Sequence, residues 1–178
     1  HILEDNEENV WFATYMNGVV KCEKDDPSKI TFYDKSHGLP SLNENVLGLI
    51  ENSVIIGTKK GFWKYNPITN SFIKDSTFQN FDASVYYFNQ DKSKNIWVSA
   101  VKENEKWITR FIKNKDYDED NVSFKRLPKQ QYDIIFHEND SISWFGSSSG
   151  LYCYNSNFND ELLEDKFHTL IRKVTTKN

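Results

Sequence analysis

The sequence contains the same two-part motif four times, and this internal repeat constrains the fold more than any other feature. Each copy begins with an apolar segment centred on tryptophan or isoleucine and continues, after a short polar turn, into a second apolar segment. The first segments lie at 10–14, 54–58, 96–100 and 143–147. Their equivalent positions are Trp11, Ile55, Trp97 and Trp144, which are separated by 44, 42 and 47 residues. A period of this length points to a repeat architecture.

Each repeat also has an apolar segment before the motif and another after it. The earlier segments, at 2–5, 47–52, 85–91 and 134–140, end in acidic or asparagine-rich turns. The later ones lie at 31–33, 71–74 and 122–127. Short apolar runs bounded by turn formers are typical of strands. Four strands in about 40 to 50 residues are typical of a β-propeller blade.

The predicted fold is therefore an all-β propeller fragment of about four four-stranded antiparallel blades. The repeats run over 1–42, 43–82, 83–130 and 131–158. Aromatic residues make up 15% of the 178 residues and there is a single methionine, a composition that suits half-buried strands. The recurring tryptophan position is expected to pack one blade on the next, and Gly18, Gly61 and Gly150 are expected to be turn residues.

Charge and composition argue against several classes of protein. The net charge is −4, and no cluster of lysine and arginine forms a phosphate-binding stripe, so nucleic acid is not an expected partner. No apolar window is long enough to span a bilayer as a helix. Cys22 and Cys153 lie far apart in no metal-ligand spacing. The first residue is histidine, which we interpret as a sign that the chain is a piece of a longer protein.

The repeats resemble those of the two-component regulator propeller family. The resemblance lies in the acidic turn, the segment 10–14, the glycine-led segment 18–20, and the His-Gly-Leu-Pro sequence at 37–40 that leads into 45–51. It covers about residues 2–155. The departures are Ile55 in place of tryptophan and a charged insert at 102–106 where the third copy lacks its glycine.

This resemblance implies the periplasmic or extracellular sensor region of an inner-membrane hybrid histidine kinase that detects glycan fragments. The chain itself would catalyse nothing, and the phosphorylation chemistry would lie elsewhere in the parent protein. Residues 159–178 would be a linker and the first strand of a following Ig-like domain. Helical spacing of the apolar residues in 160–173 favours an amphipathic helix there as an alternative.

Catalytic and metal-binding motifs are not apparent in the sequence. The four histidines occur in different predicted elements, and none is part of a spaced ligand motif. The serines at 147–149 lack the Gly-x-Ser-x-Gly pattern of a nucleophile elbow, and the acidic run 116–120 lacks the glycine and glutamate of a calcium loop. We interpret the first as a turn and the second as a solvated insertion. The sequence predicts no cofactor and no metal site.

Binding is predicted at the loops that share one face of the propeller, around the central channel. Amide, hydroxyl and aromatic groups together suit a sugar, which offers hydroxyls for hydrogen bonds and a C–H face for stacking. Trp107, beside the charged insert, is the preferred stacking platform. The candidate ligand-binding residues are Tyr15, Asn17, His37, Asn45, Lys60, Trp107 and Tyr132.

Two other functions remain open at this point. The chain could be a protein-interaction scaffold without a small ligand, which an exposed apolar blade face would favour. It could also be a propeller lyase or hydrolase, although the channel loops offer no obvious catalytic pair. Unpaired strand edges at the two ends predict self-association, or an ectodomain dimer.

Overall fold

A computed structural model describes residues 1–78, 80–120, 123–125 and 127–157. Within these residues, strands β1 to β15 form four antiparallel sheets, which we name blades 1 to 4 in chain order. Blade 1 contains β1 (Ile2–Glu4), β2 (Val10–Ala13), β3 (Val19–Cys22) and β4 (Ile30–Tyr33). Blade 2 contains β5 (Val46–Ile50), β6 (Ser53–Thr58), β7 (Gly61–Asn66) and β8 (Ser71–Lys74). A single 3-10 turn, Lys35–His37, lies between them.

Blades 3 and 4 follow the same plan. Blade 3 contains β9 (Ser84–Gln90), β10 (Ile96–Lys102), β11 (Glu105–Lys113) and β12 (Tyr117–Asp120). Blade 4 has three strands in the described residues, β13 (Ile134–His137), β14 (Ile142–Ser147) and β15 (Gly150–Asn155). In every sheet each strand pairs with the next one along the chain. The first strand of each blade contacts the first strand of the following blade, so the blades are arranged around these strands as in a propeller. The predicted fold class is confirmed.

The fourth strand of blade 3 is not where the sequence analysis placed it. The strand predicted at 122–127 is wrong, because Ser123–Lys125 form a turn and β12 lies earlier, at Tyr117–Asp120. The acidic run interpreted as a solvated insertion therefore forms the edge strand. An edge strand has an unpaired side in water and tolerates charge, and Asp120 forms an ion pair of 2.9 Å with Arg110 across the sheet.

The predicted Ig-like strand at 159–178 and the alternative helix at 160–173 lie outside the described residues. No helix within the described part of the chain is long and apolar enough to cross a membrane.

The hydrophobic core lies between the blades, in three clusters. Blades 1 and 2 enclose the cluster of Trp11, Val19, Tyr33, Leu39, Leu47, Val54, Ile56 and Phe72. Blades 2 and 3 enclose a cluster that includes Ile55, Phe62, Val85, Phe88, Ile96, Val98 and Phe111. Blades 3 and 4 enclose Trp97, Ile108, Phe124, Tyr132, Ile135 and Phe145. Each blade is thus held by its contact with the next one.

The recurring position of the motif faces the following blade. Trp11, Ile55 and Trp97 are each buried in the cluster shared with the next blade. Trp144 is half-buried, because blade 4 has no following blade in the described residues. A large side chain at this position therefore forms the junction between blades, whether it is aromatic or aliphatic.

Two of the repeated glycines are required by both space and backbone conformation. Gly18 has a φ of 73° and Gly61 a φ of 91°, which L-residues rarely adopt. A Cβ at Gly18 would lie 2.2 Å from the carbonyl oxygen of Tyr33, and one at Gly61 would lie 2.4 Å from that of Phe81. Glycine at these positions lets the chain pass directly over a neighbouring backbone.

Candidate functional site

The structure has a cavity of ≈ 320 Å³ on blade 3, and Trp107 is part of its wall. This volume is within the range of small-molecule sites. The lining residues come from β11 and from the segment that leads to blade 4, with one residue from β12. They are Glu105, Lys106, Trp107, Ile108, Glu119, Phe124, Lys125, Leu127, Pro128 and Lys129.

The cavity arises from a difference in strand length. Strand β11 has nine residues but β12 has four, and β12 pairs only with Arg110 to Lys113. The part of β11 from Glu105 to Thr109 therefore extends beyond its outer neighbour. The chain then returns beside this free stretch, where Phe124 and Leu127 pack into the cluster between blades 3 and 4. The gap between the returning segment and β11 is the cavity.

Aromatic and charged groups share this cavity. Trp107 is half-buried: it packs against the core cluster between blades 2 and 3 and also lines the cavity, where an indole can contact an apolar ligand face. Lys129 and Glu105 form an exposed ion pair of 3.1 Å at the rim, and Glu119 Oε1 accepts a hydrogen bond of 3.0 Å from the Thr109 hydroxyl. The indole can contact an apolar face of a ligand, and the charged groups around it can hydrogen-bond to the hydroxyl groups of the ligand.

Four other predicted ligand residues, Tyr15, Asn17, Asn45 and Lys60, lie in loops at one end of blades 1 and 2. Tyr15 is 76% exposed, and its carbonyl oxygen accepts from the backbone N–H of Glu44 at 3.3 Å. The structure therefore brings the loop that carries Tyr15 and Asn17 against the loop that carries Asn45. Asn45 itself is buried, and its side chain donates to the backbone of Ser41.

His37 and Tyr132 lie apart from these groups. His37 ends the 3-10 turn after the outer strand of blade 1, where its Nδ1 is 3.0 Å from Asp34 Oδ1. Tyr132 is fully buried, its hydroxyl donates to the backbone oxygen of Pro128 at 2.9 Å, and burial raises its pKa to about 12. The Tyr132 hydroxyl thus contacts the segment that lines the cavity, while its ring is not accessible at the surface.

Sequence reasoning missed two residues of the returning segment, Phe124 and Leu127, because it interpreted 122–127 as a strand. One signal could have found them. The step from Trp97 to Trp144 is the longest of the three, at 47 residues, so this repeat has residues beyond those that four strands need. Extra residues in a repeat map to loops, which often carry the binding face.

A second polar group, centred on His137, was also missed. His137 Nδ1 is 2.9 Å from the hydroxyl oxygen of Ser143, and its Nε2 is 3.0 Å from Asn89 Oδ1 on blade 3. Burial lowers the pKa of His137, although nearby Asp91 opposes this. The group connects blades 3 and 4, and the adjoining cavity is only ≈ 20 Å³, which is too small for a substrate. Among the residues that the structure describes, no three His, Cys, Asp or Glu side chains could hold a metal ion.

Comparison with solved structures identifies the architecture. The chain superimposes on the extracellular domain of BT4673 from B. thetaiotaomicron, described as a hybrid two-component system in one structure and as a one-component system in another. The TM-scores are 0.58 and 0.59, with 21% and 19% identity over 94% and 88% of this chain. What the two share is the propeller fold. The chain covers only 21% and 19% of the two BT4673 chains.

The same fold occurs in an enzyme. A catalytically inactive virginiamycin B lyase from Staphylococcus aureus, solved with quinupristin, matches 88% of this chain with 16% identity and a TM-score of 0.55, and the chain covers 55% of it. No protein-family model and no curated protein sequence matches the chain. The similarity to two-component propellers that the repeats suggested is thus confirmed for the fold.

Proposed function

We propose that this chain is a ligand-binding, non-catalytic segment of the extracytoplasmic sensor region of a membrane-anchored two-component sensor histidine kinase, and that its ligand is an oligosaccharide. The cavity beside Trp107 is the observation that carries this proposal. It combines a tryptophan with charged lysine and glutamate groups, which together can contact the C–H face of a sugar and hydrogen-bond to its hydroxyls. The similarity of the fold to the BT4673 extracellular domain supports a sensor role.

The proposed signal is a change in the arrangement of sensor domains. Such a change requires the ligand to bind one arrangement more tightly than the other. The cavity is suited to this, because its walls belong both to blade 3 and to the segment that leads to blade 4. A sugar bound there would contact blade 3 and the segment that leads to blade 4, and it would favour the arrangement of the two that completes both sets of contacts.

The test is a titration of the 178-residue chain with cello-, xylo-, manno- and malto-oligosaccharides, in which binding is measured by tryptophan fluorescence and by the shift in thermal unfolding. A ligand at one hundred times its dissociation constant stabilises a protein by about 2.7 kcal/mol. We expect one series to bind and Trp107→Ala to abolish its binding, while Trp144→Ala, also a half-buried tryptophan, leaves it intact. If no series binds, or if Trp107→Ala binds like the parent chain, the proposal is wrong.

A second candidate function is a protein-interaction scaffold whose partner is a second copy of the chain. The outer face of blade 1 favours it, since Ile2, Phe12, Val20 and Phe32 form one continuous apolar row across the sheet. Ile2 is 74% exposed and Phe32 64%. Exposed apolar patches of this kind mark interaction sites.

The free face of blade 4 is a complementary surface. Phe136, which is 58% exposed, lies opposite half-buried Trp144 in the strand register. At the junctions between successive blades of this chain, the face that carries the recurring motif position packs on the opposite face of the next blade. The free face of blade 4 could pack in the same way on the apolar row of blade 1 in a second copy. Sedimentation velocity tests the idea: Phe32→Asp should convert a dimer into a monomer, whereas Ile68→Asp, at an exposed turn outside the apolar row, should not. A monomeric parent chain at high concentration would exclude this function.

A further inference from the structure

We infer that the turn between β14 and β15 of blade 4 is a second sugar subsite that continues the Trp107 cavity, so that the site recognises an oligosaccharide and not a single sugar. This inference rests on the proposed function, because it extends the same binding site. The groups that form the subsite are Ser147, Ser149, Gln130 and Tyr152.

A cluster of neutral polar groups lies at this turn. The Ser149 hydroxyl donates to Gln130 Oε1 and is 3.4 Å from the hydroxyl oxygen of Tyr152. The Ser147 hydroxyl is 3.3 Å from that of Ser149 and donates to the backbone oxygen of Gly150. Hydroxyl groups both donate and accept hydrogen bonds, as sugar hydroxyls do. No charged side chain takes part in these contacts, so the cluster is matched to a neutral ligand.

The cluster adjoins the cavity through the chain itself. Leu127, Pro128 and Lys129 line the cavity, and Gln130 is the next residue. Consecutive Cα atoms are about 3.8 Å apart, so the backbone of Gln130 borders the rim formed by Lys129. A ligand that stacks on Trp107 and extends past the Lys129–Glu105 ion pair would reach the Gln130–Ser149 contact.

Gln130 supplies the second, independent observation. Its Nε2 is buried and makes no hydrogen bond of ordinary length, and its side chain interacts only weakly with the buried Tyr132 hydroxyl. A buried donor without a full hydrogen bond is uncommon in folded proteins. If the side chain turns outward, a ligand hydroxyl beside the turn gives this amide a full acceptor. The Gln130 amide and the exposed Ser149 hydroxyl together define where the second sugar binds.

The experiment is isothermal titration of the intact chain with the oligosaccharide series that binds it, from monosaccharide to pentasaccharide. We expect the affinity of the parent chain to rise at least tenfold when the ligand becomes long enough to reach the turn. Ser149→Ala and Gln130→Ala should remove this gain while leaving the affinity for the shortest bound ligand unchanged. Ser148→Ala is the matched control in the same turn and should retain the gain.

The failures of the two proposals are distinguishable. If Trp107→Ala abolishes binding but Ser149→Ala and Gln130→Ala leave the length dependence unchanged, the sugar site stands and the second subsite is wrong. The same conclusion follows if the two variants weaken short and long ligands equally. If no sugar binds the parent chain, both proposals are wrong. Circular dichroism of each variant verifies that the fold is retained.

Discussion

The indole Nε1 of Trp97 donates a 2.8 Å hydrogen bond to Oδ2 of Asp91, the acidic residue six positions earlier. Asn95, between them, also donates to Asp91, and its own side-chain oxygen accepts from the backbone N–H of Lys113. A single carboxylate thus connects the turn before β10 to the tryptophan of β10, and the asparagine connects that turn to the end of β11.

Blade 1 has the same arrangement with the same spacing. Trp11 donates to Asp5 Oδ2 at 2.7 Å, and the Asn9 side chain donates to Asp5 while accepting from Lys24. Burial alone would raise the pKa of Asp5, but hydrogen bonds from Trp11 and Asn9 outweigh it and lower the pKa. In blades 1 and 3, the acidic turn before the motif is therefore a hydrogen-bond partner for the tryptophan at the blade junction.

Removing the indole donor in blade 3 should lower the free energy of unfolding of the protein more than removing the equivalent donor in blade 4. Trp97→Phe leaves the partly buried Asp91 carboxylate without its indole partner, and we expect a loss of about 1–3 kcal/mol in the free energy of unfolding. Trp144 makes the equivalent bond of 2.7 Å to Glu138, but this bond is exposed, so Trp144→Phe should cost less than about 1 kcal/mol. Urea unfolding of both variants measures the difference, and equal losses would contradict the structural role of the partly buried bond.

Gly57 is expected to tolerate no side chain. A Cβ there would lie 2.5 Å from Val85 Cγ1 and 2.7 Å from Val46 Cγ2, inside the junction of blades 2 and 3. Gly57→Ala should therefore destabilise the protein by about 1–3 kcal/mol through overpacking. Gly146→Ala is the control, since its Cβ would meet only the Ile134 side chain, which is exposed and free to move. Thermal unfolding should show a clearly smaller shift for Gly146→Ala, and the reverse order would refute this explanation.

The Tyr33 hydroxyl should contribute to the junction of blades 1 and 2. It donates a hydrogen bond of 2.7 Å to Asn70 Oδ1, and the exposed Tyr65 hydroxyl donates to the same oxygen at 2.9 Å. Because Tyr33 is buried, Tyr33→Phe should lower the free energy of unfolding by about 0.5–1.5 kcal/mol, and Tyr65→Phe should have a smaller effect. Denaturant titration checks the order. A larger loss for Tyr65→Phe would show that the exposed bond dominates.

His137 should make the contact of blades 3 and 4 sensitive to acid. The Asn89 amide nitrogen donates to the backbone of Ile135, so its Oδ1 accepts from His137 Nε2, and Nδ1 of the neutral ring accepts from Ser143. Burial holds the pKa of His137 below its usual value of 6.5, despite the opposing charge of Asp91. Lys92 and Asp140 also line the adjoining cavity.

The sign of the pH effect follows from this lowered pKa. In the unfolded chain the imidazole binds a proton near pH 6.5, whereas in the folded protein it remains neutral to lower pH. The stabilisation is therefore complete above about pH 6.5 and is lost as the pH falls through the folded-state value. Urea unfolding at pH 7.5 and pH 5.5 should show a larger loss for the parent chain than for His137→Gln. The same loss in both would assign the acid sensitivity to other groups.

The sequence by itself determined the architecture of this protein. Strands, turns and the junction residues repeat with a regular period, and each is set by local patterns: apolar runs, turn formers, and a tryptophan or isoleucine at a fixed place. Such patterns can be recognised in the sequence alone because each blade contacts only its neighbours. The sequence also indicated Trp107 as an unusual tryptophan, since it lies outside the repeated position.

Only the tertiary structure decided how the loops and edges meet. The acidic strand β12 could not be recognised from its residues, because its pairing with β11, including the Arg110–Asp120 ion pair, is what makes it a strand. Likewise, Trp107 borders a cavity because β11 extends beyond the end of β12. Tyr132 is buried because the returning segment packs between two blades. These outcomes depend on strand length, register and contacts between residues far apart in the chain. No local pattern carries that information.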